Sequence, residues 1–321
     1  MKKILTLALA VILCVSFCLV AASCGGQTGP KKYKVGIVQI TQHSALDAAT
    51  EGFKKALTDK LGADSVEFDY KNASGETANC STIVNNFVAN KVDLIMANAT
   101  PSLQAAYGAT KDIPILGTSV TEYGVALGIE NFSGTVGSNV SGTSDLAPLD
   151  EQAQMILDLF PGAKKVGLLY CSAEANSDYQ VKTVEAYLKN KGIETKRYTF
   201  SDSNDISAVT TGAVGEVDVI YIPTDNKAAD SAEIIGNIVR NAKKPVIAGE
   251  EGICAKCGVA TLSISYYDLG YKTGEMAAKI LTGAAKIENM PIEYAPTTKK
   301  YNKAIADELG ITIPIGYEEI K

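Results

Sequence analysis

The chain has 321 residues, 46% of them hydrophobic and 21% charged, enough for two cores of ordinary domain size. A net charge of −6 and a pI near 5.1 argue against a nucleic-acid partner, which needs a basic face to displace counterions from phosphates. The acidic residues are dispersed, and such an excess serves solubility rather than marking the charge of a substrate.

Lys2-Lys3, an apolar run over 4–20 and Ala21-Ala22-Ser23 have the three-part build of an export signal. Cys24, directly after the small residues, makes the segment resemble a bacterial lipoprotein signal. Residues 1–23 are therefore expected to be the signal peptide, with Cys24 lipidated and anchoring the protein on the extracytoplasmic face of the cell membrane. Glycine-rich residues 24–32 read as a tether. A strand is predicted over 33–40, then a helix over 45–61 with Ala45, Ala49, Phe53, Ala56 and Leu57 at helical spacing and Gly62 as its stop. A strand over 66–70, a helix over 77–90 and a helix entered through Thr100 and Pro101 follow, Thr100 as N-cap and Pro101 at the first helical position. The second half repeats the alternation with a helix over 176–191, a strand over 194–200, a helix over 205–213, a strand over 217–222 and a helix over 227–240.

The repetition extends to the wording of the strands. Val35-Gly36-Ile37-Val38 returns as Val166-Gly167-Leu168-Leu169, Val92-Asp93-Leu94-Ile95-Met96 as Val217-Asp218-Val219-Ile220-Tyr221, and Ile113-Pro114-Ile115 as Lys244-Pro245-Val246. Strands alternating with helices imply parallel sheets covered on both faces, so the expected architecture is α/β, two Rossmann-like lobes joined by a hinge. The N-terminal lobe is expected over 33–140 with about 265–285 returning to it, and the C-terminal lobe over 141–264 with about 286–321. Sheets of this kind take ligands in the crevice beyond the carboxyl ends of their strands. There the sequence places short polar loops: 41–44, 98–101, 118–121, 172–177, 223–226 and 250–252. Residues of these types also cap helices in any α/β protein, so the convergence of six loops carries more than any one residue.

Signals for catalysis are thin. His43 is the sole histidine, so any Ser-His-Asp or Cys-His device would have to use it. Glu250-Glu251 are neighbours in the chain and would point opposite ways in an extended segment. Cys254-Ala255-Lys256-Cys257 has redox or half-zinc spacing, but further zinc ligands are missing and the pair precedes a strand-like segment. It reads as a local disulfide or two idle thiols, with Cys80 and Cys171 as small core residues. No metal or cofactor is expected.

The loop Gln39-Ile40-Thr41-Gln42-His43-Ser44-Ala45-Leu46-Asp47 and Asn98-Ala99-Thr100-Pro101 resemble the substrate-binding lipoproteins of the ABC transporters assigned to tryptophan and tyrosine. So do Asn139 to Asp145, Ser172 to Ser177, Pro223-Thr224-Asp225-Asn226, Glu250-Glu251-Gly252 and Leu262 to Gly270. Ser44, where the family usually has Pro, Ser265, where it usually has Asp, and the Cys254/Cys257 pair depart from the pattern. The resemblance implies a type I periplasmic-binding-protein fold closing on its ligand by a hinge motion, with no enzymatic step. It implies an aromatic amino acid whose carboxylate meets Asn98, Thr100 and Ser177. The ammonium would meet Asp225, with Glu251 or Asp268 as alternatives, and apolar walls and a tyrosine such as Tyr266 would take the ring. Gln42, His43, Pro101, Ser144, Glu174, Asn176, Thr224 and Asn226 complete the expected ligand-binding set. The implied partners are a membrane permease and its ATPase. Competing readings are a branched-chain amino acid or nucleoside as ligand, a sensory receptor domain, or an exported enzyme using Glu250-Glu251 or the cysteine pair.

Overall fold

Each valine-glycine phrase becomes the strand one place in from the edge of its sheet, with a parallel neighbour on either side. The computed structural model describes residues 32–321; the signal peptide, Cys24 and nearly all of the tether lie outside the described residues. In chain order the elements are β1 (Tyr33–Gln39), α1 (Ser44–Leu61), β2 (Val66–Asn72), α2 (Thr77–Ala89), β3 (Leu94–Asn98), α3 (Thr100–Ala109), β4 (Ile115–Val120), α4 (Tyr123–Leu127) and β5 (Val140–Ser144). Next come α5 (Leu149–Leu159), β6 (Lys165–Cys171), α6 (Ala175–Asn190), β7 (Glu194–Phe200), α7 (Ile206–Val214), β8 (Val219–Ile222), α8 (Asn226–Asp230), α9 (Ala232–Asn241), β9 (Val246–Ala248), α10 (Glu251–Cys257) and β10 (Ala260–Ile264). The chain ends with α11 (Tyr266–Leu281), β11 (Glu293–Tyr294), β12 (Thr297–Tyr301), α12 (Lys303–Leu309) and β13 (Glu318–Glu319).

Among the described residues the strands form a six-stranded sheet ordered β11-β5-β4-β3-β1-β2 and a seven-stranded sheet ordered β13-β12-β10-β9-β8-β6-β7. Shifting every number of the run 5-4-3-1-2 by five gives 10-9-8-6-7, so the two halves share one topology. Pairing is parallel except between β10 and β12. The chain passes between the sheets over 145–148, at 265 and over 295–296. Val140–Ser144 and the short Glu293–Tyr294 both lie in the first sheet, and α11 packs lengthwise on α1.

The repeated Val-Asp phrase has a physical meaning. Asp93 accepts the backbone N–H of Lys34 at 2.8 Å, and Asp218 accepts those of Lys164 and Lys165 at 2.8 and 2.9 Å. Each aspartate clasps the amino end of the valine-glycine strand beside its own, far from the cleft. These donors hold the Asp218 carboxyl below the usual carboxylate range.

Two sequence expectations need correction. The helix expected over 227–240 is two, because the chain turns at Ser231, whose carbonyl starts the second by accepting Ile234 N–H at 3.0 Å. Of the two readings of Cys254 and Cys257 the idle thiols hold and the disulfide does not: both are free, buried thiols on α10, and Cys257 Sγ turns back to donate to Ile253 O at 3.3 Å. Burial pushes both thiols up, which makes them poor nucleophiles.

The α1–α11 contact is built on glycine. A Cβ at Gly270 would stand 1.9 Å from Ala49 O, one at Gly52 2.1 Å from Tyr267 O, and one at Gly274 2.6 Å from Phe53 O. Gly270→Ala should therefore destabilise the protein by about 1 to 3 kcal/mol through backbone overlap, against the helix preference for alanine. Gly212→Ala, in α7 with open space around it, should instead stabilise by about 0.5 to 1 kcal/mol. Urea unfolding midpoints check both signs.

Candidate functional site

The carboxyl ends of both sheets face one another, and the loops there are where buried polar atoms accumulate. From the first lobe, β3 ends in Asn98 and Ala99, and β4 runs into Ser119 and Thr121. Ala99 and Ser119 hold φ of +84° and +54°, a left-handed conformation costing on the order of 1 to 3 kcal/mol for residues with side chains. The second lobe contributes Asn176, Thr224, Asp225, Asn226 and Glu250, and the crossings contribute Asp145 and Tyr266. These residues, with His43, Leu46, Ser119 and Thr121, enclose a central cavity of about 10 Å3. Two larger cavities flank it, one of about 230 Å3 toward α2 and α3 and one of about 330 Å3 toward α9 and α10.

The two lobes present opposite polarity. Helices α1, α2 and α3 open toward the cleft without a side-chain cap on their first N–H groups, leaving partial positive charge directed at it. In the second lobe α6 likewise starts without a side-chain cap, but α8 and α10 are already occupied by carboxylates. Asp225 accepts from Ala228 N–H at 2.8 Å and Cys171 N–H at 2.7 Å. Glu174 accepts from the N–H groups of Asn226 and Lys227, each at 3.0 Å, and Glu250 accepts from those of Gly252, at 2.6 Å, and Ile253.

Asp145 is different. Its Oδ2 accepts from Tyr266 OH at 2.9 Å, while Oδ1 meets no donor among the described residues. Asn98 Oδ1, Thr100 Oγ1, Ser119 Oγ and Asn176 Oδ1 are also buried and unpartnered among the described residues; a native protein seldom leaves such groups without a role. The carboxyls lack a compensating cation, since among the described residues no lysine or arginine lines the central cavity. Burial raises the Asp145 pKa against the pull of the Tyr266 and Thr121 hydroxyls. Burial, aided by Glu174, pushes Asp225 up to about 7, and burial pushes Glu250 up to about 7 against its capping N–H groups. Burial also lowers the His43 pKa, keeping the ring neutral beside Asn226.

Of the residues expected from sequence, His43, Asn176, Thr224, Asp225, Asn226 and Tyr266 meet at the central cavity. Pro101 and Glu174 line the 230 Å3 cavity, and Gln42 the 330 Å3 one. Asn98 lies beneath the cleft, donating to Leu46 O at 2.8 Å and to Thr50 Oγ1 at 3.0 Å, and Thr100 is buried at the start of α3. Ser177 is buried behind Asp225 and hydrogen-bonds to it. Ser144 Oγ donates to Thr121 O at 2.7 Å and shapes the crossing. Glu251 points away, paired with Lys300 at 2.6 Å, and Asp268 is exposed on α11. Sequence reasoning placed Ser119, Thr121 and Glu250 on loops of the cleft without singling them out as ligand contacts, and it missed Asp145 there. Loop 118–121 had the right place in the alternation, but Asp145 follows a strand whose exit to the other lobe has no local signal.

The lobes are drawn together. His43 Nε2 approaches Asn226 Oδ1 at 3.4 Å, and Lys227 Nζ lies 3.8 Å from Glu76 Oε1, each pair spanning the cleft. Residues 34–318 match the family model described as ABC transporter substrate binding protein. The chain belongs to the ABC transporter substrate-binding protein family. It is 38% identical to a tyrosine-binding protein of Clostridioides difficile (strain R20291), over 93% of this chain and 89% of that one. Among solved structures it resembles the ABC domain from Streptococcus pneumonia in complex with L-Trp (TM-score 0.85, 32% identity, 90% of this chain and 100% of the other). It also resembles a ligand-free, open substrate-binding protein from Clostridium difficile (TM-score 0.68, 38% identity, 90% and 99%). The better superposition falls on the ligand-bound neighbour despite its lower identity, in keeping with the contacts that close the cleft here.

In this binding protein the buried Glu250 holds a proton up to about pH 7 that the unfolded chain releases in the ordinary carboxylate range. Its folded pKa is raised, so the penalty for burying it is absent below the unfolded pKa and grows as pH rises toward 7. Glu250→Gln escapes that penalty. The variant's stability relative to wild type should improve by about 2 kcal/mol between about pH 5 and pH 7, read from urea unfolding at both. A difference independent of pH would show the native carboxyl already ionised.

Proposed function

We propose that this substrate-binding protein captures an aromatic amino acid between its lobes and delivers it, closed, to an ABC permease driven by an ATPase. The observation that carries the reading is the unmatched charge of the cleft. Carboxyls raised by burial and an unpartnered Asp145 Oδ1 face uncapped helix N-termini and unpartnered hydroxyls across a few ångströms. A zwitterion satisfies both sides at once, and charge-assisted bonds are roughly twice as strong as neutral ones. The ammonium is assigned to Asp145 rather than to Asp225, whose two oxygens are already bonded by backbone N–H groups. The carboxylate is assigned to the first lobe, at Ser119 and Thr100 with the start of α3. The tyrosine-binding relative and the tryptophan-bound neighbour support an aromatic side chain.

A protein of this family works outside the cytoplasm. Lipidation at Cys24 and the 24–32 tether would keep it beside its permease, and the lobes would swing about the crossings at 145–148, 265 and 295–296. Titration calorimetry with tyrosine, tryptophan, phenylalanine and leucine tests the ligand class. Asp145→Ala should weaken binding by about 2 to 5 kcal/mol, because it strands the ligand's ammonium. Ser119→Ala should cost about 0.5 to 1.5 kcal/mol. Tight binding of a nucleoside or sugar with no response to amino acids would overturn the assignment.

Anchoring is a separate expectation. Two acyl chains on Cys24 give stable attachment where one gives marginal binding, so Cys24→Ser should move the protein from the membrane fraction or leave its precursor uncleaved. Wild-type protein free in the medium with an unmodified N-terminus would contradict it.

A further inference from the structure

Resting on the amino-acid reading, we infer that the 230 Å3 cavity toward α2 and α3 seats the ligand's side chain, and that Lys227 selects a ring carrying a polar tip. The central cavity, at about 10 Å3, has no room for a ring beyond the charged head group. On the hinge side Glu250 and Tyr266 line both the central cavity and a third cavity of about 350 Å3, and Tyr266 is tied to Asp145 at 2.9 Å as the wall between them, so the side chain leaves through one of the other two. The 330 Å3 cavity is lined mainly by polar and charged groups, among them Asp230, Glu233, Glu250 and Lys256. Burying a ring there would strip water from Asp230 and from the Glu233–Lys256 ion pair, and a ring returns no hydrogen bond to them. The 230 Å3 cavity also carries charged groups, Glu76, Glu174, Asp202 and Lys227, but one wall is apolar, built from the buried Ile40, Pro101 and Cys171. Gly75, Ala78 and Ala173 line it with little side-chain bulk, which leaves it open.

Asn226 borders both this cavity and the central one. The only side chain it meets across the cleft at that point among the described residues is His43, at 3.4 Å, beyond the usual 2.7–3.2 Å of a nitrogen–oxygen hydrogen bond. A ligand passing from one cavity to the other therefore displaces a weak contact. The cavity is also lined by Lys227 and Glu76. Their ion pair is long, at 3.8 Å, and the Lys227 side chain is 21% exposed. Its ammonium lies over Gly75, where a Cβ would stand 2.9 Å from Nζ, so it is a largely uncommitted donor in the cavity wall, placed to meet a ring hydroxyl, which a phenyl group lacks.

The test measures affinities of the full chain for tyrosine and phenylalanine. Ala78 and Ala173 are exposed, so bulk added there enters the cavity without disturbing a core. Ala78→Trp and Ala173→Trp should each weaken both ligands about 100-fold or more. Glu233→Trp, which crowds the other cavity, should change neither by more than about twofold. Lys227→Met should weaken tyrosine about tenfold, the scale of a hydrogen bond to a charged group, and leave phenylalanine unchanged. Thermal unfolding of each variant verifies that the fold is intact. Wild-type affinity for tyrosine in both filled variants, or loss of binding in Glu233→Trp instead, overturns the cavity assignment while leaving the amino-acid reading in place. Equal losses for tyrosine and phenylalanine in Lys227→Met overturn the role of Lys227. If wild type binds no amino acid, the ligand reading fails and the cavity assignment falls with it.

Discussion

A carboxylate taken out of water loses several kcal/mol of hydration, and it recovers that only from donors or cations held close to it. In this cleft Glu174, Asp225 and Glu250 recover part of it from backbone N–H groups at the starts of α8 and α10. Asp145 receives the Tyr266 hydroxyl on one oxygen and nothing on the other among the described residues. The balance is left unsettled in the closed protein, and burial raises the pKa values of Asp145, Asp225 and Glu250 accordingly. A ligand cation can settle it. The cleft is therefore built to be completed from outside.

The duplicated topology makes that incompleteness directional. Both lobes aim helix N-termini at the cleft, because parallel strands all end there and each feeds a helix. In the first lobe α1, α2 and α3 start uncapped, as α6 does in the second, but there carboxylates occupy α8 and α10. One fold, used twice, thus provides an anion-accepting wall and a cation-accepting wall. The left-handed Ala99 and Ser119 lie on the anion-accepting side, where backbone strain is tolerated because the surrounding sheet holds it.

Closure depends on rigid parts. The glycine-lined contact between α1 and α11 joins the helix that carries His43 to the one that begins at Tyr266, so both ends of the cleft move with the first lobe. Across the cleft, Asn226 and Lys227 meet His43 and Glu76 through long contacts. Such contacts are too weak to lock an empty cleft, and they leave most of the closing free energy to the ligand.

Much of this was legible in the sequence. The repeated Val-Gly and Val-Asp phrases, the alternation of helix and strand and the polar loops at strand ends determined two parallel lobes with a cleft between them, because periodicity and turn chemistry are local properties. They also brought His43, Asn176, Thr224, Asp225, Asn226 and Tyr266 to the right place. What the sequence could not express was partnership. Asp225 looks as good a counter-ion as Asp145 until Cys171 and Ala228 are seen to occupy its oxygens. Glu251 and Asp268 look equivalent to Glu250 until a helix turn directs Glu250 inward, Lys300 takes Glu251 and solvent takes Asp268. The value of a charged group depends on which donors lie within about 3 Å of it and on how much water is excluded, and both are settled by residues distant in the chain. The chain by itself therefore determined the lobes and the loops of the cleft, and only their packing decided which of its acids is left facing a ligand.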